Sequence, residues 1–274
     1  MRLFALIALS AALSFAQDAR QIVLRSLELD SRNERVARNY TFVVRNENRE
    51  VDSQGRLQRR RVFTRDVTLL EGSPYQRLIA RDDHPLSPAE ERKEREKLRK
   101  SIEERRKETP DQRARRLADW EKKRREDHEP LLEIPDAFNL RIAGEERVDG
   151  KDAWIIDATP RPGFQPKSHL ARIFPKFQGR LWIDKQDSVW VKVQAEALDN
   201  ISFGLFLVRL QKGARMTFEQ TRVNDEVWLP KRVTIALAAR FLLLKNFRVE
   251  AEATYLNYRK FQSDSRLVGF EAPQ

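Results

Sequence analysis

The sequence predicts a mainly β fold with α (α+β): a large curled antiparallel sheet, an unclosed β-barrel, packed on an N-terminal helix and carrying a charged two-helix insertion. Three observations predict it. After residue 130 one strand-like segment follows another with no helical stretch between them, which excludes a parallel, doubly wound sheet. These segments are joined by short turns, Asp149-Gly150 among them, so neighbours in the chain pair antiparallel. Residues 87–128 differ in kind, with about two residues in three charged. A sheet of this many strands must curl, and curled round a helix it becomes a partial barrel.

At the start of the chain, Met1-Arg2 precedes an apolar run from Leu3 to Leu13, and Ser14-Phe15-Ala16 gives a small-x-small exit. A short basic start, an apolar core and such an exit are the parts of a secretory signal peptide. The run is shorter than the roughly 20 apolar residues a membrane-spanning helix needs. The expectation is a signal over 1–16, cleaved after Ala16, and a single domain over 17–274 that is periplasmic or otherwise secreted. Asp18 to Arg38 reads as an amphipathic helix, with Ile22, Val23, Leu27, Leu29 and Val36 near helical spacing.

Asn39–Arg45 is β-branched and aromatic and predicts a strand. A polar link, 46–53, leads to the turn Gln54-Gly55. Arg56–Leu70 and Tyr75–Ala80 predict two more strands around Glu71-Gly72-Ser73-Pro74. Within the insertion, Ser87-Pro88-Ala89-Glu90 and Thr109-Pro110-Asp111-Gln112 each place a hydroxyl at the N-cap, proline at N1 and Glu or Gln at N3. Two helices should start there. With few apolar anchors (Leu98, Ile102, Leu117, Trp120), both should lie on the surface. They read first as a solvated insertion between two strands, and second as a lid or an arm for an anionic partner.

Further strands are expected at 138–143, 153–158, 179–184, 188–197, 201–210, 214–223, 226–229, 231–244 and 247–261. Gly144–Arg147 should break the first of them, and Pro230 should separate the seventh from the eighth. In 188–197, alternation places Val189, Val191, Val193 and Ala195 on one face. Residues 163–176 form a loop.

The totals exclude several function classes. The chain has no cysteine, so neither a disulfide framework nor a lipid-anchored cysteine is available. Net charge is +11 and the pI is about 10.0. That balance attracts polyanions, or simply decorates the surface. In an exported chain it points to anionic lipid head groups, lipopolysaccharide phosphates or acidic glycans rather than nucleic acid. There is no G-x-S-x-G, no Gly-rich phosphate loop and no H-E-x-x-H. His84, His128 and His169 stand apart in polar sequence, so no catalytic residue, metal site or cofactor is expected. Strands 201–210 and 231–244 are apolar at both parities, which demands a cover on each face. Either helices fill the sheet's interior, or a ligand cavity remains. If a cavity remains, its wall is assigned to Phe203, Leu205, Leu207, Ile235, Leu237, Phe241 and Leu243. Trp154, Trp182 and Trp190 suit core or hairpin packing.

Three stretches carry a family resemblance: Val148-Asp-Gly-Lys-Asp-Ala-Trp-Ile-Ile156; Gly179-Arg-Leu-Trp-Ile-Asp184 with Val189-Trp-Val-Lys-Val193; and Phe218-Glu-Gln with Val227-Trp-Leu-Pro230. They resemble the hairpin motifs of the LolA/LppX-like envelope proteins, the outer-membrane lipoprotein-sorting carriers and their relatives. The resemblance spans roughly Ala19 to Leu267 apart from the charged insertion, which departs from the group's pattern. It implies a half-barrel over helices with an apolar cavity for acyl chains or a lipidated partner, and no catalysis. It transfers no individual functional residue. The resulting expectation is an exported, non-enzymatic binding protein for a lipid or lipidated molecule, with basic residues near the mouth suiting an anionic head group. The alternative is an envelope regulatory or scaffold protein that binds another protein through its charged helices.

Overall fold

The computed structural model describes residues 2–52, 54–203, 208–241 and 245–261. A first helix, α1 (Arg2–Ala37), leads into strands β1 (Tyr40–Val51), β2 (Leu57–Leu70), β3 (Ser73–Arg81) and β4 (His84–Pro85). Helices α2 (Pro88–Arg106), α3 (Pro110–His128) and the short α4 (Ile134–Ala137) follow. The chain then runs through β5 (Phe138–Val148), β6 (Lys151–Pro160), β7 (Phe177–Asp184), β8 (Trp190–Ala197), β9 (Ile201–Phe203), β10 (Val208–Leu210), β11 (Arg215–Val223), β12 (Val227–Phe241) and β13 (Lys245–Lys260).

One antiparallel sheet runs β4-β3-β2-β1-β13-β12-β11-β8-β7-β6-β5, with β10 attached to β12 and β9 to β10. Strand β13 returns to pair with β1, so the two ends of the chain's β structure meet mid-sheet while β4 and β5 form its outer strands. The sheet is large, antiparallel and unclosed. Among the described residues no helix is long and apolar enough to cross a membrane.

The buried stripe of α1 is Ala19, Val23, Ser26 and Leu27, at i, i+4, i+7 and i+8. It packs on Phe138, Leu140, Ile156, Leu181, Ile183 and Trp190 from β5 to β8. Buried Ser26 is satisfied because its hydroxyl donates to the Val23 carbonyl at 2.8 Å. The two ends of this packed segment are pinned. Arg20 bonds the Pro135 carbonyl and Asp136. The Asn33 amide donates to the Trp228 carbonyl and accepts from its N–H, both at 2.7 Å. Val36 and Ala37 join a separate cluster with Tyr40, Val227 and Leu229.

Both insertion helices begin at the expected capping boxes, and neither buries a residue. What fastens them is not visible in their ion-pair pattern. Arg105 donates to the carbonyls of Leu70 and Ser73 at 2.5 and 3.1 Å. Arg116 reaches the Ser73 hydroxyl at 2.6 Å and the Glu71 carbonyl at 3.1 Å. Two guanidinium groups thus grip the β2–β3 turn. Leu117 lies against that turn at Gly72, whose φ of +86° requires glycine. Replacing Thr109 with Ala should cost about 1 kcal/mol of local helix stability. Amide exchange should quicken in the first turn of α3 while global unfolding barely moves.

Five expectations for the strands are corrected. The polar stretch 46–51 is strand rather than link, because Asn46–Val51 pair on both sides with β2 and β13. Gly144 does not end β5; a bulge between Ile142 and Gly144 absorbs it and pairing continues to Val148. Pro230 does not split β12, since a register shift beside it accommodates its missing N–H. The run 201–210 is two short strands, because Ile201 pairs with Leu210 and the chain has reversed between them. An apolar run without turn residues gives no clue to where it reverses. A further bulge, at Val191, turns Val189 and Val191 to the opposite face from Val193. They pack with Trp182 and Trp228 instead. Trp182 and Trp190 are both core residues, and Trp154 packs against the α1 core.

Candidate functional site

The inner face of β5–β8, β11 and β12 carries two neighbouring cross-strand rows. One is Ile142, Ile156, Leu181, Val193, Phe218 and Val233; the other is Leu140, Ala158, Gly179, Ala195, Met216 and Ile235. In the second row three adjacent strands present only Ala, Gly and Ala. No side chain there is long enough to fill the space, and an apolar hollow of about 310 Å³ results. That volume lies at the lower end of the range for small-molecule sites, roughly 300–1,000 Å³.

One wall is formed by Ile134, Phe138, Ile173, Phe174 and Phe177, the other by Leu210, Met216, Ile235 and Leu237. Phe174 sits in a short 3₁₀ segment, Leu170–Lys176. Its ring lies 5.4 Å from Phe138 and 6.5 Å from Phe164. Arg215 precedes Met216 in β11, so its side chain belongs to the outer face of the sheet, where it pairs with Glu196 at 3.3 Å. Beyond it, on the outer face, Asp157 is shared by Arg141 at 2.8 Å and Arg180 at 2.7 Å.

A buried carboxylate supports the Phe174 wall. Glu133 accepts the backbone N–H groups of Lys167 and Ser168, both at 2.8 Å, and Ser168 in turn accepts the Ala171 N–H. Burial pushes the Glu133 carboxyl up, but these hydrogen bonds outweigh it and hold it below the usual glutamate value. A depressed folded-state pKa stabilises above the unfolded-state value of about 4.3 and is lost as pH falls through the folded value. Glu133→Gln should therefore flatten the acid limb of the stability profile below about pH 4. It should also speed amide exchange at Lys167 and Ser168, at a cost of roughly 2 kcal/mol.

Of the wall residues expected from sequence, Ile235 and Leu237 border the hollow. Phe203 and Phe241 end β9 and β12 and are linked in register through Val208. Leu205, Leu207 and Leu243 lie outside the described residues. The floor residues Ala158, Gly179 and Ala195 were not anticipated. Their signal is a run of small residues at inward parity in three successive strands, which becomes visible only once register is known.

His128 is held by Asp30 at 3.5 Å, His84 lies exposed in β4, and His169 precedes the 3₁₀ segment. Among the described residues no group of three or more His, Asp or Glu could hold a metal ion. Asp82 and Asp83 shape a turn at φ 49° and 64°, and Asp83 is taken up by Arg45 and Arg60 at 2.7 Å each.

The chain is similar in structure to LolA-superfamily proteins. A putative outer-membrane lipoprotein-sorting protein domain from Vibrio parahaemolyticus matches 89% of this chain and 95% of its own, at 12% identity and a TM-score of 0.34. A LolA superfamily protein from Nitrosomonas europaea matches 89% and 94%, at 8% identity and a TM-score of 0.31. A DUF1329 family protein from Desulfovibrio piger matches 91% and 97%, at 12% identity and a TM-score of 0.30. No family profile and no curated protein matches the sequence.

Proposed function

We propose that this chain is an exported, non-enzymatic binding protein that holds a hydrophobic molecule, a lipid or an acyl chain, in the hollow on the inner face of its sheet. The observation that carries this reading is the row Ala158-Gly179-Ala195. It keeps an apolar volume of about 310 Å³ free of side chains between aromatic and aliphatic walls. The apolar run before Ala16 supports export.

Native mass spectrometry tests the reading, on protein recovered from a bacterial periplasm without detergent. The expected result is a polypeptide beginning at Gln17 with a reproducible added mass that solvent extracts as a phospholipid or other acylated molecule. A bare polypeptide that also takes up no fluorescent fatty acid would rule the carrier reading out.

A further inference from the structure

A second hollow, of about 330 Å³, lies beneath α3, between that helix, the end of α1 and strands β1–β3. It is separate from the first, with no residue in common. Its lining is largely apolar: Phe42, Val67, Leu69, Pro74 and Trp120. Polar contacts along α3 hold that helix above it. Arg116 fixes the second turn of the helix to the β2–β3 turn. At the far end Arg124 bonds Glu34 of α1, and His128 meets Asp30.

One polar group in this hollow lacks a partner. Arg124 stacks on Trp120, its guanidinium carbon 5.1 Å from the ring centroid. Its Nη1 is buried and makes no hydrogen bond among the described residues; a Glu121 carboxylate oxygen is 3.6 Å away. A buried N–H without an acceptor is costly, and a bound molecule can supply the missing oxygen. The surrounding charges fix the kind of oxygen. Arg38 and Arg124 face Glu34 and Glu121, with Arg38 donating to Glu121 at 3.1 Å. Two cations and two anions cancel, so the site asks for an acceptor without net charge.

We propose that the hollow under α3 is a second binding site, for an uncharged single-chain amphiphile. The chain lies against Phe42, Leu69 and Trp120, and an ester or hydroxyl oxygen of the head accepts from Arg124 Nη1. The charged insertion then has a function of its own: it roofs a site that the sheet alone would not possess. This assignment is independent of what the first hollow holds.

The test is photo-crosslinking of the full wild-type protein with a monoacylglycerol carrying a diazirine in its chain, followed by peptide mapping. Label is expected in the peptides containing Leu69 and Trp120. Monodecanoylglycerol should chase it at least tenfold more effectively than decanoate. Leu69→Trp, which fills the hollow, should abolish label at Trp120 without altering any label at Val193 or Leu237. Absence of label from β2 and α3, equal competition by decanoate, or label at Trp120 that survives Leu69→Trp would each overturn the proposal.

Discussion

Val23→Asp should abolish cooperative folding. Val23 is fully buried in the centre of the α1 stripe, between Ala19 and Leu27, against a floor of Ile156, Leu181 and Ile183. Aspartate there would place a charge among the aliphatic and aromatic groups of the core. Such a group either stays charged in an apolar environment or takes up a proton and still lacks hydrogen bonds. With the loss of Val23's own packing, the penalty should reach at least about 4 kcal/mol. The whole stability of a domain is about 5–15 kcal/mol. The inner face of β5–β8 has few other covers, so loss of α1 would expose Ile156, Leu181 and Trp190 together. Urea unfolding followed by tryptophan fluorescence should show no sigmoidal transition for Val23→Asp. Arg25→Asp, on the exposed side of the same turn, should unfold like the parent. A normal transition for Val23→Asp would mean that α1 is not what closes the core.

Signals contained within a few residues were legible in the sequence. The capping boxes at Ser87 and Thr109 placed the starts of α2 and α3, because a cap is a local exchange of hydrogen bonds. Asp149-Gly150 placed the β5–β6 hairpin, since its positive φ values are properties of those two residues. Features that depend on the partner strand were not legible. Bulges at Gly144, Val191 and Pro230 each reverse the parity of the residues beyond them, and nothing in the strand's own alternation reveals them. This is why Val189 and Val193 were expected on one face and lie on opposite ones.

The candidate site was illegible for the same reason. Bulky residues such as Leu205 and Phe241 attract attention in a sequence, yet a hollow is made by what is absent. Ala158, Gly179 and Ala195 come from three different strands, and only their register sets them side by side. The clamping of the insertion was likewise hidden. Arg105 and Arg116 read as members of a helical ion-pair lattice, but Arg105 donates to backbone carbonyls, and Arg116, besides pairing with Glu108, to a carbonyl and a hydroxyl, of a turn more than thirty residues away.

Ala195→Trp should empty the proposed carrier site while leaving the fold in place. Ala195 is half-buried, sits between Gly179 and Met216 in the small-residue row, and lines the hollow. An indole rising from that position meets no packed side chain at Gly179, so it can occupy the hollow without the overpacking that an enlarged core residue suffers. The added apolar burial should offset its ordering cost, and the thermal midpoint should move by no more than about 4 °C, the shift that roughly 1 kcal/mol produces in a domain of this size. Any co-purifying lipid should vanish from the native mass spectrum, and uptake of a fluorescent fatty acid should fall at least tenfold. Arg215→Gln should behave differently. It lies on the opposite face beside Glu196 and leaves the apolar volume intact, so uptake of the fatty acid should match the parent's. A protein that keeps its lipid with an indole at 195 would exclude this hollow as the carrier site. The two substitutions thus separate the volume that this row supplies from the charge on the opposite face.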